Sequence, residues 1–238
     1  MPAMITGNPF LLILIPAALS ALALLHFPGS SRGHVKPYSV ILFLTEGAAL
    51  SCAAICVFIR LFVTKTDNSL WIVAAAFVLS IFGDLAMKRR STGHNYIYGI
   101  LFFFAAHLCF LVYAMLCNKG FSPVVLIVSI AAILVFFFTT LIKSPALSSN
   151  RLLAIAALSY SLISCFTLSA ALNPGSASQY INVATASWIF AAGILCMITS
   201  DIFIALQDFA HNKRFSFLIM PLYLLSQVLI TLSVTVKR

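Results

Sequence analysis

The sequence predicts an all-α integral membrane protein, built as a bundle of about eight transmembrane helices. Of its 238 residues, 62% are hydrophobic and only 8% are charged, whereas soluble domains contain about 25% charged residues. Long apolar stretches recur along the whole chain, each close to the roughly 20 residues that a helix needs to cross a bilayer. These stretches lack alternating hydrophobicity and are too long for tilted strands, which disfavours a porin-like barrel.

Eight apolar segments make up most of the chain. We place the spans at residues 8–27, 38–62, 69–87, 96–117, 121–142, 150–172, 182–206 and 215–235. Helix breakers such as Pro28-Gly29 and Asn173-Pro174-Gly175 mark short connections between them. The sequence therefore predicts one transmembrane domain over residues 1–238, with no room for a separate soluble domain. No Lys or Arg precedes the first span and no cleavage site follows it, so we expect a retained helix and not a signal peptide.

The basic residues cluster at the ends of the spans and give a formal net charge of +9. Such residues set membrane topology and meet anionic headgroups, so nucleic acid is not indicated as a partner. Nine of the 14 lie in the first, third, fifth and seventh loops, namely Arg32, Lys36, Lys88, Arg89, Arg90, Lys143, Arg151, Lys213 and Arg214. The remaining five lie on the opposite side, namely Arg60, Lys65, Lys119, Lys237 and Arg238. This excess predicts that the odd-numbered loops are cytoplasmic and that both termini are outside.

An internal correspondence links the two halves of the chain. Gly83-Asp84 ends the third span, and Ser200-Asp201 ends the seventh. Four spans separate the two pairs, so both helices run in the same direction and bring their carboxyl groups to the same side. The pattern suggests two parallel four-helix repeats, residues 1–118 and 119–238.

Three acidic residues, Glu46, Asp84 and Asp201, fall within predicted spans. An acid at the centre of a span costs about 2.5–3.5 kcal/mol, a sizeable part of a folding stability of about 5–15 kcal/mol. We therefore expect all three to face the interior of the bundle and to have a function. The alternative is that each caps a helix end or pairs with a basic loop residue, as Asp84 would with Lys88 four positions later.

Further polar residues are predicted at the same depth as the acids. His107, Tyr223 and Gln227 lie about 8 to 12 residues from the odd-loop side, at about 1.5 Å of rise per residue. Taken singly, His107 is explained as a hydrogen-bonded core histidine, and Tyr223 and Gln227 as partners in interhelical hydrogen bonds. Together with the three carboxyl groups, these residues predict a polar cavity. The chain has no His-x3-His or Cys-x2-Cys pair for a metal and no Gly-x-Ser-x-Gly nucleophile motif. Paired aspartates indicate acid–base chemistry instead.

Several segments carry a resemblance to a known family. They are Lys36-Pro37, SIFGDLAMKRR (80–90), YGILFFFAAHLCFLVY (98–113), SDIFIALQDF (200–209) and PLYLLSQVLI (221–230). In order and spacing they resemble the YhhN-like lysoplasmalogenases, eight-span membrane enzymes of bacteria and animals. Tyr160 in the sixth span also resembles a family position.

The resemblance implies hydrolysis of the vinyl ether bond of lysoplasmalogens, either lysoplasmenylethanolamine or lysoplasmenylcholine. The products would be a fatty aldehyde and glycerophosphoethanolamine or glycerophosphocholine. It implies a lysophospholipid substrate, contact with membrane lipids, no cofactor, and a bacterial inner membrane or a eukaryotic endomembrane. Under this interpretation Asp84 and Asp201 are catalytic, and Lys36 meets the substrate phosphate. The residues that would bind substrate or support the aspartates are Glu46, His107, Tyr160, Tyr223 and Gln227.

Three other functions stay open at the level of sequence. A proton-coupled transporter or lipid flippase would use the same intramembrane carboxyl groups and the repeat. An intramembrane aspartic protease would share a proton between two aspartates, but Ile81-Phe82 precede Gly83-Asp84, so the Gly-x-Gly-Asp signature is absent. A structural or receptor role would need neither carboxyl group for chemistry.

Overall fold

The computed structural model describes residues 10–25, 38–64, 68–88, 93–141, 150–173 and 181–236, together with Ser144 and Ser148. Every regular element of eight residues or more within these ranges is an α-helix. In chain order the helices are α1 (Phe10–Leu25), α2 (Tyr38–Phe58), α3 (Ser69–Lys88), α4 (Gly93–Asn118), α5 (Pro123–Phe136), α6 (Arg151–Ala171), α7 (Ile181–Phe209) and α8 (Ser216–Val236). Two helices continue for one further turn with π-helical geometry, α2 over Ile59–Thr64 and α5 over Phe137–Leu141.

One helix lies in each predicted span. Among the described residues, six helical segments are long and apolar enough to cross a membrane: Leu44–Val63, Ser69–Met87, Tyr96–Asn118, Arg151–Ala171, Ala184–Phe209 and Ser216–Val236. Helices α1 and α5 contribute shorter apolar stretches, Leu12–Ala23 and Pro123–Thr139. The all-helical, multi-pass character of the chain is therefore confirmed by helix length and composition. The count of eight crossings and the internal repeat stay predictions.

Local sequence sets several helix boundaries. Pro123 opens α5, where its missing N–H costs no helical hydrogen bond. Asn150 precedes α6 and caps it, because its side-chain oxygen accepts a hydrogen bond from the Leu153 amide at 3.1 Å. Lys119 ends α4 in a left-handed conformation (φ 52°), and its amide donates to the Met115 carbonyl at 2.9 Å.

Glycines allow close approach in two of the most extensive helix pairs, α3 with α4 and α7 with α8. A Cβ on Gly99 of α4 would lie 2.7 Å from Met87 Cγ on α3. A Cβ on Gly193 of α7 would lie 2.8 Å from Ile230 Cγ1 on α8. Real Cβ atoms do not approach this closely, so these helices pack at their observed separation only because the side chains are absent.

Two apolar clusters occupy opposite ends of the bundle. The larger contains Phe77, Phe110 and Ile194 and lies toward the end at which α4 and α6 finish. The smaller surrounds the end at which α4 and α6 begin and α7 finishes; its buried residues are Ile97, Ile100, Phe137, Leu153 and Phe209. We call this second end the odd-loop end. The predicted polar residues lie between it and the larger cluster.

Candidate active site

Asp84 is held by a tyrosine from the last helix. The Tyr223 hydroxyl on α8 donates a hydrogen bond to Asp84 Oδ2 at 2.8 Å. The preceding Gly83 has a packing role, because a Cβ there would lie 2.9 Å from the Phe103 ring. Phe103 in turn packs edge-on against Tyr223, with ring centroids 6.4 Å apart. Gly83 thus lets α4 bring Phe103 against the tyrosine that orients Asp84.

Asp201 has an equivalent partner on a different helix. The Tyr160 hydroxyl on α6 donates a hydrogen bond to Asp201 Oδ2. The neighbouring Ser200 donates to the Ile219 carbonyl at 2.9 Å, which ties this part of α7 to α8. His107 packs edge-on against the Tyr160 ring, with centroids 5.2 Å apart and an interplanar angle of 83°. The tyrosine is therefore fixed at both its ring and its hydroxyl.

The two aspartates belong to one electrostatic network. Asp84 interacts with Asp201 and with Glu46, and the hydroxyl group of Tyr223 interacts with both aspartates. Tyr160 likewise interacts with Tyr223 as well as with Asp201. The structure therefore brings together residues from α2, α3, α6, α7 and α8 that are far apart in the chain.

Several buried polar atoms in this region have no hydrogen-bond partner among the described residues. They are Oε1 of Glu46, both ring nitrogens of His107 and both amide atoms of Gln227. His107 and Gln227 are 0% and 1% exposed. The Gln227 amide is close enough to the Tyr223 hydroxyl to interact with it, but not in good hydrogen-bond geometry. A buried polar group without a partner costs about 1–3 kcal/mol, so these groups are suited to bind water or a polar ligand.

A cavity with an accessible volume of about 80 Å³ opens beside Asp201. Its polar lining comes from Tyr96, Tyr160, Ser161, Ser164 and Asp201; the apolar lining includes Ile100, Phe103, Ile133, Phe136, Ala157 and Ile198. A single water molecule needs about 10–15 Å³ of such accessible volume. The cavity can therefore hold several waters or a short alkyl segment. Asp84 is not among the lining residues and reaches the cavity only through its interaction with Asp201.

Polar and basic residues surround the odd-loop end of this cavity. The Tyr96 hydroxyl donates to Asp208 Oδ2 at 3.3 Å and so joins the start of α4 to the end of α7. Arg151, Lys213 and Arg214 are exposed at this end. Lys36, the predicted phosphate contact, lies outside the described residues. The surface near the cavity is therefore basic and suited to anionic groups.

Sequence reasoning identified the acids but missed most of the cavity wall. Ser161, Ser164 and the apolar lining belong to no motif and differ in no visible way from other residues of a membrane helix. Their proximity to Asp201 depends on how α4, α5 and α6 pack. Within the described ranges, no group of three or more His, Cys, Asp or Glu residues is arranged to hold a metal ion.

These features define a class of protein. It is a multi-pass helical membrane protein with two aspartates in its interior, each of which accepts a hydrogen bond from a tyrosine. A family model described as the YhhN family matches residues 35–234, and the chain belongs to that family. The family includes lysoplasmalogenases and is associated with hydrolase activity. A search of curated proteins and a search of solved structures each found no match. The resemblance drawn from the sequence motifs is thus confirmed at the level of the family.

Proposed function

We propose that this protein is a lysoplasmalogenase-like hydrolase that cleaves the vinyl ether bond of lysoplasmalogens. The observation that carries the proposal is the pair of interior aspartates, each hydrogen-bonded to a tyrosine, of which Asp201 lines a largely apolar cavity near a basic surface. An amphiphile with one alkenyl chain and a phosphate-bearing headgroup matches both properties. Membership of the YhhN family agrees with this substrate class.

The reaction needs two carboxyl groups in different protonation states. A protonated carboxyl group transfers its proton to the β-carbon of the vinyl ether, and an oxocarbenium ion forms. Water then adds to the cation, and the second carboxyl group, which is ionised, takes up the proton that this water loses. The resulting hemiacetal collapses to a fatty aldehyde and the glycerol hydroxyl of the glycerophospholipid headgroup. This division of labour resembles that of glycoside hydrolysis, in which one acid protonates and one carboxylate assists.

The geometry suggests how the two aspartates divide these roles. Asp201 lines the cavity, so we assign it the direct contact with the reacting carbon. Asp84 lies behind it, outside the cavity wall but within electrostatic reach of Asp201 and Glu46. We assign it the stabilisation of positive charge and the uptake of the proton from the attacking water through bound water, for which His107 and Gln227 offer unpartnered groups. Neighbouring carboxyl groups in an apolar environment seldom ionise together, which favours one acid and one base.

The remaining predicted residues have supporting roles in this proposal. Tyr160 and Tyr223 orient the two carboxyl groups through the hydrogen bonds described above. His107 and Gln227 offer unpartnered donors and acceptors that can hold water or the ether oxygen. Glu46 adds a third acid next to Asp84. The proposed reaction requires no cofactor.

The proposal is tested by measuring aldehyde release from purified protein supplied with lysoplasmenylethanolamine, using a coupled aldehyde dehydrogenase. Asp84→Asn and Asp201→Asn should each lower kcat by about 10²–10⁴-fold, the usual contribution of a general acid or base. Asp208→Asn is the matched control, because this aspartate lies seven residues beyond Asp201 on the same helix and also accepts a tyrosine hydrogen bond. It should retain activity.

Two results would contradict the proposal. Full activity in a well-folded Asp84→Asn or Asp201→Asn variant would remove that residue from the reaction, and equal cleavage of an ester lysophospholipid would overturn the substrate class. Solute or lipid flux into proteoliposomes, with no aldehyde formed, would favour the transporter or flippase instead.

A further inference from the structure

A second, larger depression lies on the outer face of the bundle beside the candidate active site. It is a groove between the N-terminal halves of α4 and α6 with a volume of about 450 Å³. Its walls are mostly apolar and include Ile100 and Leu101 of α4 and Leu152, Ile155, Ala156 and Ser159 of α6. Neither the sequence motifs nor the proposed chemistry uses this groove.

The groove adjoins the cavity that contains Asp201. Ile100 lines both depressions, and the groove residues Ala156 and Ser159 directly precede the cavity residues Ala157 and Tyr160 on α6. The buried side chain of Ile100, which is 7% exposed, therefore borders both spaces. A chain lying in the groove could reach the candidate site by passing this side chain.

The volumes show which part of a lipid each space can hold. Pockets for drug-sized ligands measure about 300–1,000 Å³, so a cavity of about 80 Å³ takes the few atoms around the reacting bond but not a long alkyl chain. The groove, at about 450 Å³, is large enough for that chain. Several of its walls are exposed toward the lipid phase, for example Leu101 at 50% and Ile155 at 62%.

The charge at the end of the groove matches a phospholipid headgroup. Leu152, the groove residue nearest the odd-loop end of α6, directly follows the exposed Arg151 that begins the helix. An alkyl chain in the groove would therefore carry its phosphate close to the Arg151 guanidinium. Arginine binds phosphate through paired hydrogen bonds as well as by charge.

We propose that the groove between α4 and α6 binds the alkyl chain of a single-chain phospholipid while Arg151 binds its phosphate. The vinyl ether, which joins the chain to the glycerophosphate headgroup, then bends into the cavity past Ile100. This inference rests on the proposed function for the identity of the reacting bond, but the binding of the lipid is independent of cleavage. The specific occupant is a single-chain phospholipid, as opposed to the two-chain lipids that surround any membrane protein.

The first experiment measures binding without catalysis. The full-length protein in nanodiscs is irradiated with a lysophospholipid analogue that carries a diazirine in a non-cleavable alkyl ether chain, and the labelled peptides are mapped by mass spectrometry. Labelling should concentrate on residues 97–104 and 152–159, and an excess of unlabelled lysophospholipid should compete. Equal labelling of the exposed face of α5 at Ile127 and Val128, or equal competition by two-chain phosphatidylcholine, would overturn the proposal.

The second experiment separates the groove from the reaction. Ser159→Phe places a ring in the groove and should raise KM for a long-chain lysoplasmalogen by about tenfold or more, because the methylenes that the ring excludes from the groove are no longer buried there. A short-chain vinyl ether should be cleaved as by the wild type. Val128→Phe adds the same ring to the exposed face of α5 and should change neither value. Equal effects of the two substitutions, or none, would count against the groove.

The third experiment tests the phosphate contact. Arg151→Gln should abolish the preference for lysophospholipid over an uncharged monoalkyl glycerol in the photolabelling competition, and an unchanged preference would remove Arg151 from the site. If the wild type cleaves no vinyl ether of any chain length, the proposed function fails, while the photolabelling still decides whether the groove binds the lipid.

Discussion

Removal of the Tyr160 hydroxyl is the sharpest perturbation that the structure offers. Tyr160→Phe keeps the ring that packs on His107 and deletes one hydrogen bond to Asp201. Hydrogen bonds to charged groups contribute about 1.5–3 kcal/mol, and about 1.4 kcal/mol corresponds to a tenfold change in rate. We therefore expect kcat to fall about 10- to 150-fold, with KM for a lysoplasmalogen nearly unchanged.

The assay is aldehyde release at saturating substrate, combined with a double-mutant cycle. If Tyr160 acts by positioning Asp201, then Tyr160→Phe should have little further effect in an Asp201→Asn background, because the two residues share one interaction. Tyr113→Phe controls for removing a buried tyrosine hydroxyl, since Tyr113 packs on Phe190 away from the cavity. It should leave kcat unchanged.

Two outcomes would refute this reasoning. Unchanged kcat in a folded Tyr160→Phe variant would show that the hydrogen bond is not used in the reaction. Additive losses in the double variant would show that Tyr160 acts independently of Asp201, for example by contacting the substrate itself.

Other substitutions test the packing and the unpartnered polar groups. Gly193→Ala should lower the free energy of unfolding by about 1–3 kcal/mol, because its Cβ would lie 2.8 Å from Ile230 Cγ1. The thermal midpoint of unfolding should fall accordingly. Gly47→Ala, whose Cβ would meet only one side-chain atom at 3.9 Å, should be tolerated. Asn118→Ala removes two hydrogen bonds to carbonyl oxygens of α6 and should cost about 1–3 kcal/mol of stability in thermal unfolding without lowering the kcat of the folded fraction. His107→Phe should keep or raise stability but lower kcat at least tenfold; retained kcat would identify His107 as a packing residue.

The tyrosine partners of the two aspartates illustrate the limit of sequence reasoning. Tyr223 was predicted near the acids from its depth in the last span, and Tyr160 from a family resemblance. Neither approach showed which tyrosine bonds to which aspartate. The bond from Tyr223 to Asp84 spans 139 residues and that from Tyr160 to Asp201 spans 41. Such pairings depend on the lateral order and rotation of helices, which hydropathy does not record.

The predicted shared cavity shows the same limit in another form. The sequence placed Asp84 and Asp201 at the same membrane side, and the structure brings them into one electrostatic network. Of the two aspartates only Asp201 lines the cavity, whereas α3 contributes Met87 to its wall and α4 contributes Phe103. The position of Phe103 follows from Gly83, whose role as a packing contact became visible only once α3 and α4 were in place.

The sequence by itself determined the helical, multi-pass character of this protein, the approximate ends of its helices and the positions of its acids along them. These properties are local: a run of apolar residues must satisfy its own backbone in lipid, and residue number measures rise along a helix. Only the tertiary structure decided which tyrosine holds each carboxyl group, where the cavity lies and which helices border the groove. Those features arise from side-chain packing between helices distant in the chain, and lipid and protein interior select for the same apolar residues on both faces.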